Sequence, residues 1–188
     1  PFESDFTILA TGGIGQVYGH TTNPSIATGD GIAMAFRAGA HIAHMEFIQF
    51  HPTALYQKER ASTFLISEAV RGFGARLRTK NGTLFMTQYD SRGDMASRDI
   101  VSQSIEKELK KSGEPSVYLD CTHLNMPDFI AHFPMIYNNC KAMHIAVEKD
   151  WIPVLPAQHY LCGGIAINLH GQTNLKNLFA CGECTHTG

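Results

Sequence analysis

A histidine, a glutamate and two arginines occur in that order within three short segments. These are Phe47-Ile48-Gln49-Phe50-His51-Pro52-Thr53-Ala54, Ser67-Glu68-Ala69-Val70-Arg71-Gly72 and Ser97-Arg98-Asp99. The residue types suit recognition of a dicarboxylate. Guanidinium groups clamp carboxylates through paired N–H donors. A histidine and a glutamate can orient an amine or a second carboxylate. Each residue also has a plainer reading. His51 could be a satisfied structural histidine, aimed by the proline that follows it. Glu68 and Arg71 are three apart and could be a surface ion pair on a helix. Arg98 is different, because a cation in the first turn of a helix opposes the macrodipole. Its placement points to a reason beyond helix stability. His159, ahead of Tyr160 and the pair Gly163-Gly164, has the same two readings as His51.

The elements that must position these residues are legible in outline. An apolar run at 6–10 reads as a buried strand entering the glycine-rich turn Thr11-Gly12-Gly13, and the pattern recurs at 177–183. Two strands that end in glycine suit an α/β sheet with a ligand at the carboxyl ends of its strands. A small-residue helix is expected over 28–39, capped by Thr28 or Asp30 and closed by Gly39. Residues 76–86 read as a hairpin with Asn81-Gly82 as a type I′ turn. Ser97 caps a helix over 98–112. Its apolar face is Ile100, Val101, Ile105 and Leu109, Glu106 pairs with Lys110, and Gly113 stops it. A second helical region runs over 127–144, interrupted by Pro134. Residues 151–156 are extended. The middle of the chain therefore reads as an α+β insertion between two parts of an α/β sheet.

Three further motifs could carry chemistry. Ala10-Thr11-Gly12-Gly13 lets backbone N–H groups approach a bound group closely. It is not a G-x-G-x-x-G fingerprint, since Tyr18 stands where the last glycine would be. Asp30 in Thr28-Gly29-Asp30-Gly31 could hold a ribose or ribityl hydroxyl, or could simply cap a helix. Cys181, Cys184 and His186 have the spacing of a redox pair or half a metal site, but no second C-x-x-C accompanies them, and no metal is assigned.

Composition narrows the classes. The chain has 188 residues, 44% hydrophobic and 17% charged, enough apolar material for one or two cored domains. A net charge of -2 does not indicate nucleic acid or an anionic membrane, and no apolar run is long enough for a membrane span. Five cysteines, an odd number with no mark of secretion, read as reduced cytoplasmic thiols. The chain begins without Met, ahead of a strand pattern and with no signal peptide, and stops just after a strand and its turn. It reads as a piece of a longer protein.

Read in order, these segments resemble the L-aspartate oxidases of the succinate dehydrogenase/fumarate reductase flavoprotein superfamily. The matching text begins with Ala10-Thr-Gly-Gly13, Thr22-Asn-Pro24, Thr28-Gly-Asp-Gly-Ile-Ala-Met34 and Gln49-Phe-His-Pro-Thr-Ala-Leu-Tyr56. It continues through Ser67-Glu-Ala-Val-Arg-Gly72, Ser97-Arg-Asp-Ile-Val101, His132-Phe-Pro-Met-Ile-Tyr137, Pro156-Ala-Gln-His-Tyr-Leu-Cys-Gly-Gly164 and Ala180-Cys-Gly-Glu183. The Ala-Leu-Tyr after His-Pro-Thr and the Cys before Gly-Gly favour aspartate oxidase over a succinate dehydrogenase or fumarate reductase flavoprotein subunit. A non-catalytic cap or metal-binding module is the alternative from another class.

The resemblance implies oxidation of L-aspartate to iminoaspartate with non-covalent FAD, on the way to quinolinate and NAD. The flavin would be reoxidised by oxygen or fumarate, with a functional link to quinolinate synthase and a cytoplasmic location. It implies an α+β capping domain, 44–159, inserted between two parts, 1–43 and 160–188, of an α/β Rossmann-like FAD-binding domain. Arg98 matches the active-site arginine. His51, Ser67, Glu68, Arg71 and His159 match substrate-site positions. Ala10, Thr11, Gly12, Gly13, Asp30 and Glu183 match FAD contacts. The pyrophosphate-binding turn of the family is not in this sequence, so the chain alone is expected to hold FAD weakly or not at all. Two positions depart from the family's text: Ser67 stands for a threonine, and Phe73 for a glutamate.

Overall fold

A computed structural model describes residues 3–58 and 63–187. From the N-terminus come β1 (Thr7–Leu9), α1 (Asp30–Arg37), β2 (Ile42–Ala43) and β3 (Ile48–Leu55). Next are α2 (Glu68–Gly72), β4 (Arg76–Arg78), α3 (Arg98–Ser112), β5 (Val117–Asp120), α4 (Met126–His132) and α5 (Pro134–Ala142). The chain ends with β6 (Ile152–Leu161), β7 (Gly164–Ala166), β8 (Leu178–Ala180) and β9 (Thr185–His186). These divide into two compact units, residues 1–50 with 158–188, and residues 51–157.

In the first unit β1 and β8 pair in parallel, Thr7 beside Leu178 and Leu9 beside Ala180. Each strand runs into a glycine turn, as the repeated pattern predicts. A second sheet has the order β2-β7-β9. Ile32 and Ala35 of α1 pack with Leu161, Ile165, Ala180 and Cys184 in one core. The expected burial of β1 is not found, because Ile8 is 67% exposed. Among the described residues β8 is its sheet neighbour, and the Phe6 ring meets Phe179 edge-on instead of entering a core. The capping expected at α1 is also replaced. Gly29 is the N-cap, in the left-handed region with φ 81°, and no side chain caps the helix. Thr28 and Asp30 are displaced from that role because the turn needs a positive φ, which glycine adopts without strain.

In the second unit β4, β5 and β6 are antiparallel neighbours. Leu77, Leu119 and Ile152 sit side by side across the three strands, all fully buried. The helix read over 98–112 forms with those bounds, and Gly113 ends it at φ 70°. Val101 and Ile105 face the core, with Ile100 and Leu109 packed at its edge. Pro134 splits the next helical region as expected. α4 ends at His132, and α5 restarts on the proline, whose missing N–H costs nothing there. The 76–86 segment turns, but not as type I′. Gly82 has φ 88°, while Asn81 is not among the residues with positive φ. Gly82 N–H donates to Thr79 O and Thr79 N–H to Thr83 O, a three-residue loop with glycine in the left-handed position. The Asn81 side chain prefers to accept from Thr83 N–H.

Cys121 and Cys140 lie buried in this unit's core, and burial pushes their thiols up to about 12 and about 11. Thiols held so far from ionisation are poor nucleophiles. Among the described residues no helix is long and apolar enough to cross a membrane.

Leu119 should be the most revealing core position. Leu119→Ala should cost about 2–5 kcal/mol of unfolding free energy, measured as a fall in the urea midpoint. An unchanged midpoint would show that the Leu77–Leu119–Ile152 row does not hold the sheet.

Candidate functional site

Four of the sequence-selected residues converge within the second unit. His51 lies on β3 and is 1% exposed. Thr53 N–H donates to its Nδ1 at 3.2 Å, so Nδ1 is the acceptor and Nε2 carries the proton in the neutral ring. The same Thr53 fixes the next segment. Its hydroxyl donates to Ile66 O at 2.8 Å, and Ile66 N–H returns to Thr53 O at 2.9 Å. Ser67 then starts α2, its hydroxyl oxygen accepting from Ala69 N–H at 3.2 Å. Glu68 is the first residue of that helix.

Arg98 Nε donates to Glu68 Oε2 at 2.7 Å. This accounts for a cation at the start of α3: its partner is a carboxylate thirty positions earlier, not the helix. Arg71 is a second cation behind the same carboxylate. It is 2% exposed, so the surface pair suggested by the i,i+3 spacing is a buried one. Its Nη2 lies 3.9 Å from Glu68 Oε1, and Nη1 donates to Asp94 O. Among the described residues, neither Nε nor Nη2 of Arg71 finds a hydrogen-bond partner. Asp94, which carries no sequence signal of a role, is buried too, and its carboxylate accepts from Leu77 N–H at 2.8 Å.

The electrostatics follow from this packing. The Arg98 hydrogen bond holds the Glu68 carboxyl below its ordinary value against the opposing effect of burial, and Arg71 and His51 add to the lowering. Burial lowers Arg71 and raises Asp94. The cluster is thus an ionised carboxylate between two guanidinium groups, near a histidine that donates through Nε2.

The remaining candidates lie in the first unit. The turn 10–13 leaves the carboxyl end of β1. Gly13 abuts Glu183 so closely that a Cβ there would sit 2.4 Å from Glu183 Oε1. Gly31 abuts Thr11, where a Cβ would sit 1.9 Å from the hydroxyl. Gly29 N–H donates to Gly13 O at 3.2 Å. Ala10–Gly13, the start of α1 at Asp30, and Glu183 are therefore one assembly. Glu183 Oε1 is further held by Leu161 N–H at 2.9 Å. Asp30 and Thr11 are exposed.

His159 lies on β6 in this unit. Its Nδ1 is 2.8 Å from the Thr22 hydroxyl, and its carbonyl accepts from Asn23 Nδ2 at 2.9 Å. In the sequence, Thr22 and Asn23 are only polar residues ahead of a proline. Cys184 is buried, its thiol bonded to the carbonyls of Leu9 and Cys181. Among the described residues no group of three or more His, Cys, Asp or Glu could hold a metal ion.

A family model described as FAD binding domain matches residues 2–188. The chain is similar to the L-aspartate oxidase 1 of Ralstonia nicotianae, 53% identical over 183 residues, covering 97% of this chain and 34% of that protein. It is similar to the L-aspartate oxidase of Yersinia pestis, 47% identical over 187 residues, covering 100% of this chain and 35% of the relative. The chain therefore spans only about a third of these relatives' length. Among solved structures it is similar to a mutant FrdA of E. coli quinol fumarate reductase. The TM-score is 0.87 at 36% identity, over 97% of this chain and 34% of that one.

Because Glu68 is held below 4.5 chiefly by Arg98, the sign of its pH dependence is fixed. A depressed carboxyl pKa gives stability that is present above the unfolded value and lost as pH falls through the folded one. In a carboxyl NMR titration Glu68 should have its midpoint below 4.5, and Arg98→Gln should raise it. A midpoint indifferent to Arg98→Gln would show that the hydrogen bond is not what keeps Glu68 ionised.

Proposed function

The chain belongs to the FAD-binding domain family, and from that premise we propose that it is part of a flavoenzyme that oxidises L-aspartate to iminoaspartate. The observation that carries this reading is that relatives named L-aspartate oxidase align along nearly its whole length. The cluster of Arg98, Glu68 and His51 supplies chemistry that suits such a substrate.

The residues of the first unit fit the cofactor. The helix α1 starts on Gly29 without a side-chain cap, so its N-terminal N–H groups suit a polar or anionic group. The exposed Asp30 carboxylate is an acceptor for a hydroxyl. The turn 10–13 offers backbone at the end of a strand, and the missing Cβ atoms of Gly13 and Gly31 let Glu183 and Thr11 close on it. Non-covalent FAD, when bound, would take up the two electrons and the hydrogen that leave the substrate's α-carbon.

The second unit would supply the substrate contacts. A guanidinium gives up its proton only with great difficulty, so Arg98 acts as an electrostatic clamp on a carboxylate and not as a base. Glu68 stays ionised at neutral pH and keeps the Arg98 fork oriented. Its free lone pairs suit the amino group of aspartate. His51 offers Nε2–H to a carboxylate oxygen. Ser67 retains a hydroxyl proton to donate while its oxygen caps α2. Arg71, being buried, acts through Glu68 and does not touch the substrate. His159 of the first unit would be a further contact to the substrate.

In this reading residues 44–159 are a capping domain set into a Rossmann-like FAD domain. The whole protein works in the cytoplasm and reoxidises its cofactor with oxygen or fumarate. Iminoaspartate would pass to quinolinate synthase for NAD biosynthesis.

Two experiments on the full-length protein that contains this chain test the proposal. Steady-state assays should show turnover of L-aspartate well above that of succinate, and faster succinate turnover would overturn the assignment. Arg98→Lys should lower kcat/KM by about 10- to 100-fold, the size of one charged hydrogen bond, while the flavin spectrum stays that of the loaded protein. Near-normal turnover would reduce Arg98 to a structural partner of Glu68.

A further inference from the structure

Resting on the reading that His159 contacts the substrate, we infer that Thr22 is a positioning residue. It donates its hydroxyl proton to His159 Nδ1 and so keeps Nε2 protonated as a carboxylate donor.

The direction of this hydrogen bond is what matters, and the surrounding bonds decide it. A threonine hydroxyl has one proton to give. The Thr22 hydroxyl has two acceptors in range, His159 Nδ1 at 2.8 Å and Gln158 O at 3.4 Å. The second is long for an O–H···O bond. That carbonyl already accepts from Thr22's own N–H at 2.9 Å. The proton therefore goes to Nδ1. An Nδ1 that accepts leaves the proton of the neutral ring on Nε2. A ring with the opposite tautomer would offer a lone pair instead, which suits an ammonium group and repels a carboxylate.

The frame around this bond is built to hold it. Thr21 bridges Gln158 in parallel, its hydroxyl 2.8 Å from Gln158 Oε1. Gln158 N–H donates to His20 O at 2.9 Å. Asn23 Nδ2 holds the His159 carbonyl at 2.9 Å. Thr22 is thus fixed by main-chain bonds between 20–22 and Gln158 and by the Asn23 side chain on the His159 carbonyl, and its hydroxyl reaches the ring. His51 has the same pattern from a different donor, since a backbone N–H occupies its Nδ1. That lock cannot be removed by changing a side chain. The lock on His159 can.

The test pairs a spectroscopic with a kinetic readout. In the 188-residue chain labelled with 15N-histidine, and with His159→Gln to assign the signal, His159 should show a protonated Nε2 and a hydrogen-bonded Nδ1. Thr22→Val should move the Nδ1 resonance to that of an unbonded ring nitrogen. In the full-length holoenzyme Thr22→Val should raise KM for L-aspartate about 3- to 10-fold, the worth of one neutral hydrogen bond, with kcat nearly unchanged. Thr22→Ser should restore both readouts. A proton found on Nδ1, or a KM unmoved by Thr22→Val, overturns the inference. His159→Gln separates the two levels. If it raises KM while Thr22→Val does not, only the role of Thr22 fails. If it leaves KM unchanged, the reading of His159 as a substrate contact fails with it.

Discussion

A buried cation must be compensated, and Arg71 is one whose side chain has no exposure. Removing a guanidinium from water is expensive unless opposite charge and hydrogen bonds replace the solvent. Arg71 recovers part of that cost from the Asp94 carbonyl and part from the field of Glu68. Among the described residues two of its nitrogen atoms find no hydrogen-bond partner. The arrangement therefore tolerates no loss of charge at Glu68. The same carboxylate accepts a hydrogen bond from Arg98 Nε–H at 2.7 Å. One negative charge between two positive ones is strongly held, and it fixes where the outer guanidinium points. The outer pair is partly exposed and so adds little to stability. Its value is geometric, because a fork already oriented needs less ordering when a carboxylate arrives.

The two histidines follow a common principle, each within its own unit. A neutral imidazole can present either a donor or an acceptor, and which one is set by the partner of the other nitrogen. His51 has a main-chain N–H on Nδ1, and His159 has a threonine hydroxyl there. Both are thereby set as donors through Nε2. A donor is what a carboxylate oxygen needs.

The elements with strong local signals were legible in the sequence. The helix of Arg98–Ser112, its stop at Gly113 and the break at Pro134 all follow from periodicity, a left-handed cap and a missing N–H. What was not legible depends on tertiary contact. The turn at Asn81-Gly82 took a different form because only Gly82 adopts positive φ. The burial of Arg71 cannot be seen from its spacing to Glu68, since the same i,i+3 pair occurs on any helix surface. Arg98 was conspicuous because it opposes the helix macrodipole, but its partner lies thirty residues away. Thr22 and Asp94 act through hydrogen bonds to residues distant in sequence, and no local pattern encodes that.

The two departures from the family's text make sense at α2, which is the weakest element that carries site residues. Five residues are too few for a helix to persist unaided. It has to be held at both ends. At its start the Ser67 oxygen accepts from Ala69 N–H, a bond that threonine or serine can make equally, so the exchange costs the stiffening methyl but not the cap. At its end Phe73 is the C-cap, and its ring lies 5.1 Å from His132, 5.5 Å from Phe133 and 6.3 Å from Phe129. A glutamate in that aromatic setting would need a partner for its charge, whereas phenylalanine anchors the helix by packing. The substitution exchanges a polar group for a firmer seat. Since Glu68 and Arg71 both ride on α2, that seat holds the carboxylate on which Arg98 depends.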